Sequence, residues 1–368
     1  MIYFDNAATT YKKPENVIKA VRDCIRRYSA NPGRGAHKLS ICASEAVYEA
    51  RESVASFFSC DSPERVVFTY NTTYALNLAI KSIVKPSTHV LISNFEHNSV
   101  VRPIQKLADS AGVSYTVFDA MSTDLRAEIV SHIRPETKTI VSTIASNVTG
   151  AEMPLEMLVD IKREYGLKLI IDAAQAAGHK NITLAGDVDA FCFPAHKAML
   201  GIMGTGVCIF GKDYIPVSLI EGGSGILSKS LYMPDTLPEA LEAGTLGLPG
   251  IVALSEGIKF LESYGIDEVE RSIDYLTQLL VDRIGAVKGA RIIGANNGVV
   301  SFMLRNLGSE DVAARLDANG ICTRAGFHCA PLAHDALGTG DGGTVRASLS
   351  IFNSKREVDR FYRALRKI

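Results

Sequence analysis

The sequence predicts an α/β fold: a mainly parallel seven-stranded sheet with helices on both faces, followed by a smaller C-terminal α/β unit. Three observations predict it. Between residues 66 and 210, seven short apolar runs alternate with helix-period patterns. Parallel strands need a crossover, usually a helix, so that alternation describes such a sheet. A Gly- and Pro-rich stretch at 211–250 then breaks the pattern, and shorter strands and helices resume beyond it. A chain of 368 residues fits two unequal domains better than one. The expected division is a large domain at 16–250 and a small domain made of 1–15 and 251–368.

The first helix is expected over 17–28, with Val17, Ala20, Val21, Cys24, Ile25 and Tyr28 on one face. A second covers 44–57. The sheet strands fall at 66–69, 89–93, 114–118, 139–144, 168–173, 188–195 and 206–210. Helices lie between them near 73–84, 99–111, 124–133 and 155–165. Two more helices, at 251–263 and 267–286, follow the Gly-rich stretch. The small domain then has strands near 290–293, 298–304, 321–324 and 343–349, a helix near 309–319, and a last helix from Lys355.

Net charge is −1 and no long run of like charges occurs, which argues against nucleic-acid and membrane-surface partners. Met1-Ile2-Tyr3-Phe4-Asp5 lacks the pattern of a secretory signal. Seven Cys without a C-x-x-C fit a cytoplasmic chain whose thiols are mostly buried.

Ligands of open α/β sheets bind beyond the carboxyl ends of the strands. Polar residues stand there in series. Asn71-Thr72-Thr73 opens a helix, where hydroxyls and free N–H groups suit a phosphate, although an ordinary N-cap reads the same way. Glu96-His97 follows the next strand, and Ser146-Asn147-Val148-Thr149-Gly150 follows the one at 139–144. Asp172, with Gln175 three residues on, ends a buried run, where a carboxylate needs a partner. His196-Lys197 closes the series. Each feature alone has a structural explanation; together they describe one site.

This series resembles the cysteine desulfurase and selenocysteine lyase family, within the class V branch of the fold type I pyridoxal-phosphate enzymes. The likeness runs from Phe4-Asp5-Asn6-Ala7-Ala8-Thr9-Thr10 to the last helix. It implies that Lys197 bonds pyridoxal 5'-phosphate, Asp172 pairs with the ring nitrogen, Gln175 meets the phenolic oxygen and His97 stacks on the ring. It implies that Thr72, Thr73 and His196 hold the phosphate with Thr245 of a partner subunit, so the enzyme is a homodimer. Asn147 would lie near the substrate carboxylate. Arg324-Ala325-Gly326-Phe327-His328-Cys329-Ala330-Pro331-Leu332 matches the family's nucleophile segment, and Val345-Arg346-Ala347-Ser348-Leu349-Ser350 its carboxylate-binding segment. Cys329 would take the chalcogen of L-cysteine or L-selenocysteine and pass it to an acceptor protein. The short interval from Cys329 to Arg346 resembles the group with a constrained Cys loop. Phe327 and Pro194 depart from the family pattern and leave the substrate preference open.

The residue types suit the chemistry. Asp172 favours a protonated ring nitrogen, and Lys197 must be partly neutral to react. A guanidinium fork such as that of Arg346, with Arg324 beside it, suits a carboxylate. His328, Arg324 and Arg346 are candidate sources of the positive charge that gives Cys329 thiolate character. Three other readings stand beside this one. They are a class V aminotransferase or β-lyase with Cys329 as a packing residue, a metal module of Cys322, His328, Cys329 and His334, and a non-catalytic binding protein.

Overall fold

The computed structural model describes residues 1–33, 35–184, 186–212, 214 and 217–368. The chain opens with β1 (Ile2–Tyr3), then α1 (Glu15–Arg27) and α2 (Lys38–Phe57). The sheet region follows as β2 (Val66–Thr69), α3 (Thr72–Ile83), β3 (His89–Ser93), α4 (Asn98–Ala111), β4 (Ser114–Phe118), α5 (Leu125–Ser131), β5 (Thr137–Thr143), α6 (Leu155–Tyr165), β6 (Lys168–Asp172), β7 (Ala190–Pro194) and β8 (Gly206–Phe210). The strands are ordered β2-β8-β7-β6-β5-β3-β4. All run parallel except β8, which is antiparallel to both β2 and β7. The expected fold class therefore holds.

The remaining elements are α7 (Leu248–Tyr264), α8 (Ile266–Gly285), β9 (Ala290–Asn296), β10 (Val299–Leu304), α9 (Ser309–Asp317), β11 (Ile321–Cys322), β12 (Arg324–Gly326), α10 (Pro331–Leu337), β13 (Thr344–Ser348) and α11 (Lys355–Leu365). Four of these strands form an antiparallel sheet, β12-β13-β10-β9, and β11 pairs with β1. The second sheet has its own apolar core, in which Ile2 and Phe4 from the N-terminus meet Phe302, Val345 and Phe361. The buried face of α7 belongs instead to the core around the large sheet, where Ile251, Leu254 and Ile258 lie with Phe191 and Phe193.

Several expectations need correction. Helix α2 begins at Lys38, six residues earlier than its apolar periodicity suggests. Its added turn exposes Leu39 and Ile41, and His37 caps it by accepting from the Ser40 N–H. In α1, Ile25 is exposed rather than buried. Cys24, Cys192 and Cys208 are the buried cysteines, while Cys42 and Cys329 are exposed and Cys60 and Cys322 half-buried. Helix α10 and residues 325–326 of β12 lie outside the expected elements. No helix among the described residues is long and apolar enough to cross a membrane.

Candidate active site

The carboxyl ends of β2, β3, β5, β6 and β7 surround one cavity, lined by Asn71, Thr72, Thr73, His97, Asn147, Asp172, Gln175, His196 and Lys197, among others. Eight expected site residues thus come together. Asp172 is the last residue of β6 and is buried; it accepts from the Ala174 N–H at 2.9 Å. Lys197 follows the neighbouring strand β7 in the turn toward β8. Burial lowers its amine to about 8, with Arg346 and Arg324 reinforcing the shift and Asp172 and Asp5 opposing it. Burial raises the Asp172 carboxyl, and the Ala174 N–H and Lys197 hold it back.

On the other side of the cavity, Asn71 caps α3 by accepting from the Tyr74 N–H. The loop needs a glycine behind it: a Cβ on Gly206 of β8 would stand 2.4 Å from the Asn71 carbonyl carbon. The Thr72 hydroxyl and His196 Nδ1 are buried without a hydrogen-bond partner in the protein. The Thr73 hydroxyl meets the Ser99 hydroxyl at 2.8 Å, and Ser99 Oγ lies 2.9 Å from His97 Nδ1. That nitrogen also accepts from the Ser99 N–H, which leaves the ring proton on Nε2. Burial and then Lys197 push His97 down to about 4, so the ring is neutral near pH 7. Burial likewise takes His196 to about 4.

The N-terminal segment closes over Lys197. Thr10 donates to the Lys197 carbonyl, Thr9 and Lys13 donate to the His196 carbonyl, and the Gln175 amide donates to the Ala7 carbonyl. Arg346 on β13 is buried. It donates from Nη1 to the Asn147 carbonyl at 2.9 Å and from Nη2 to Asp5 at 3.0 Å. Arg324 is its register partner on β12, so both guanidiniums leave one face of the sheet. Cys329 is exposed in the turn between β12 and α10.

Thr245, expected at a partner subunit's cavity, and His328 lie outside this one. Thr245 is exposed and lines a different pocket of this chain, with Tyr70, Thr205 and Glu242. His328 is buried with its ring against Thr344; burial, then Arg346, pushes it down to about 2, so it is neutral and lends Cys329 no charge. Cys322, His328, Cys329 and His334 do not converge: among the described residues no three His, Cys, Asp or Glu side chains form a metal-holding group. Two further residues complete the site: Ser99, which orients His97, and Asp5, which holds Arg346. Asp5 stands in the N-terminal motif but 341 positions from its partner, and no periodicity links the two.

A family model, aminotransferase class-V, matches residues 2–361. The chain belongs to that family. Within it, a probable cysteine desulfurase of Halalkalibacterium halodurans is 33% identical, covering 100% of this chain and 93% of the relative. A probable cysteine desulfurase of Pyrococcus abyssi is also 33% identical, over 100% and 94%. Among solved structures, the apo cysteine desulfurase of Thermococcus onnurineus superimposes with a TM-score of 0.91 at 31% identity, covering 100% of this chain and 94% of that one.

Proposed function

We propose that the chain is a pyridoxal-phosphate-dependent cysteine desulfurase that converts L-cysteine to L-alanine and takes the sulfur onto Cys329 as a persulfide. One observation carries the reading. A lysine with a lowered pKa and a buried aspartate on the adjacent strand line one cavity, and Asn147, which also lines it, hydrogen-bonds the backbone of the exposed cysteine turn. The cavity's own chemistry fits the cofactor. Thr72 Oγ1 and His196 Nδ1 lack partners where a phosphate would sit, at the N-terminus of α3. Asp172 offers a carboxylate to a ring nitrogen, Gln175 an amide to the phenolic oxygen, and neutral His97 a flat face to the ring.

When bound, pyridoxal phosphate supplies an electron sink at the substrate's α-carbon. The residues do the rest. Arg346 and Arg324 draw in the substrate carboxylate, with Asn147 beside it. The Lys197 amine carries the cofactor and, once free, moves the proton from the α-carbon. The Cys329 thiolate would then attack the substrate sulfur: an S–S bond forms, the C–S bond breaks, and its electron pair stays on the substrate's carbon skeleton. Protonation of the residual carbon skeleton yields alanine.

The enzyme acts as a homodimer. Thr245 lies away from its own chain's cavity, and Ile18, Ile25, Leu39 and Tyr48 are exposed on α1 and α2, which suits a partner subunit. The exposed Cys329 hands sulfur to an acceptor protein in the cytoplasm, where the seven free cysteines stay reduced. The division is taken at 16–250 for the large domain and 1–15 with 251–368 for the small one, with α7 and the start of α8 packed against the large sheet.

The test is a turnover assay with L-cysteine and L-selenocysteine, scoring alanine and the released chalcogenide. Mass spectrometry after brief exposure to cysteine should find one added sulfur on the Cys329 peptide. Pyruvate, ammonia and sulfide in place of alanine, with no sulfur-bearing cysteine, support a β-lyase without a nucleophile instead. Turnover of selenocysteine alone assigns the chain to selenium.

A further inference from the structure

The turn that carries Cys329 is strained and held from outside. His328 and Cys329 have φ of 50° and 58°, two successive non-glycine residues in the left-handed region. Such backbone persists only where surrounding structure enforces it. The turn's own bond, from the Ala330 N–H to the Phe327 carbonyl, spans 2.9 Å. Two further bonds come from the large sheet's side. The Asn98 N–H, at the start of α4, donates to the Cys329 carbonyl at 2.7 Å. The Asn147 side-chain amide donates to the His328 carbonyl, also at 2.7 Å. A small apolar cluster of Phe95, Val148, Ala330 and Ala333 closes the same seam.

Asn147 also holds the carboxylate-binding arginine: its backbone carbonyl accepts from Arg346 Nη1. It is buried and lines the cavity. One residue therefore fixes the guanidinium through its main chain and the cysteine turn through its side chain. The two functions are separable, because a side-chain substitution leaves the carbonyl in place.

We infer that Asn147 is a positioning residue for the nucleophile: its amide holds the left-handed turn in the geometry from which Cys329 reaches the substrate sulfur. This goes beyond a place near the substrate carboxylate. Its catalytic consequence rests on the desulfurase reading; the hold on the turn does not.

Two variants of the holoenzyme test it. Asn147→Ala removes the amide. Asn147→Asp keeps its shape but cannot donate to the His328 carbonyl. Without substrate, both should speed hydrogen exchange of backbone amides in peptides spanning 327–331 by about tenfold, the effect of losing one buried hydrogen bond. In parallel, solvent-deuterium exchange at the α-carbon of L-alanine reports the chemistry upstream of Cys329. Single-turnover persulfide formation from L-cysteine reports Cys329 itself. Persulfide formation should fall by about tenfold more than α-carbon exchange in both variants. Unchanged amide exchange in the turn would overturn the inference, as would an equal fall in the two rates. If the wild-type protein forms no persulfide, the desulfurase reading fails, and amide exchange still decides whether Asn147 holds the turn.

Discussion

Lys197 and Cys329, the two residues the proposed reaction turns on, are built in opposite ways. The lysine stands at the end of a buried strand, under a strap of N-terminal residues that bond the His196 and Lys197 carbonyls. The cysteine is exposed on a left-handed turn held by single bonds from Asn98 and Asn147. The difference follows from what each must do. An amine near neutrality requires desolvation, which only a packed interior supplies. A thiol that accepts sulfur and gives it away must be reachable from inside and outside the cavity. Rigidity serves the first and accessibility the second.

The largest expected effect breaks the rigid half. Lys197→Ala should lower alanine production by roughly a thousandfold or more and abolish the borohydride-fixable cofactor adduct. Adduct remaining on another lysine would remove Lys197 from this role. In the wild-type protein, adduct formation should quicken as pH rises through about 8, where the amine loses its proton. Next, Cys329→Ala breaks the accessible half alone. Sulfur release should fall by about a hundredfold or more, while cofactor absorbance stays. Unfolding stability should move by less than about 0.5 kcal/mol, because the side chain is exposed.

Asp172→Asn is expected to keep the fold, since the amide oxygen can still accept from the Ala174 N–H, yet to lower turnover by about a hundredfold. Near-normal turnover would exclude ring pairing by Asp172. The smallest effect sharpens the account of the buried half. Glu96 is wholly buried, accepting from the Ser93 hydroxyl and the Thr143 N–H, and burial pushes its carboxyl up to about 8 from an ordinary 4.5. The unfolded chain ionises first, so the stability from this group is full below about pH 4.5 and is lost as pH rises toward 8. Between pH 5 and 8 the wild-type urea midpoint should fall. Glu96→Gln should flatten that fall; an unchanged slope would mean that other groups carry it.

Most of the large sheet was legible because its strands are short, continuous apolar runs: 66–69, 89–93, 114–118 and 206–210 match to the residue. The direction of β8 was not, since an apolar run reads the same either way. The start of α2 was hidden because Leu39 and Ile41 face outward and spoil the stripe. Helix α10 is only seven residues long, too short for a period to register. At the site, the rule that ligands gather at strand ends found Thr72, His97, Asn147, Asp172 and Lys197. It could not find Asp5, whose link to Arg346 exists only after two distant segments meet. Nor could it see that His328 turns inward to Thr344 and stays neutral.

The reversed strand β8 has a further consequence. Because β7 and β8 are antiparallel neighbours, the link that carries His196 and Lys197 is a closed loop whose two ends are seated in one sheet. It is cross-tied by the Ala195 N–H to the Thr205 carbonyl and the Gly201 N–H to the Ala195 carbonyl. A parallel successor would have needed a long crossover, with more chain to order around the amine. Here the loss of conformational entropy that places the amine is incurred when the sheet forms, before any ligand arrives. Binding then meets a preorganised group, and its free energy is left for the ligand itself.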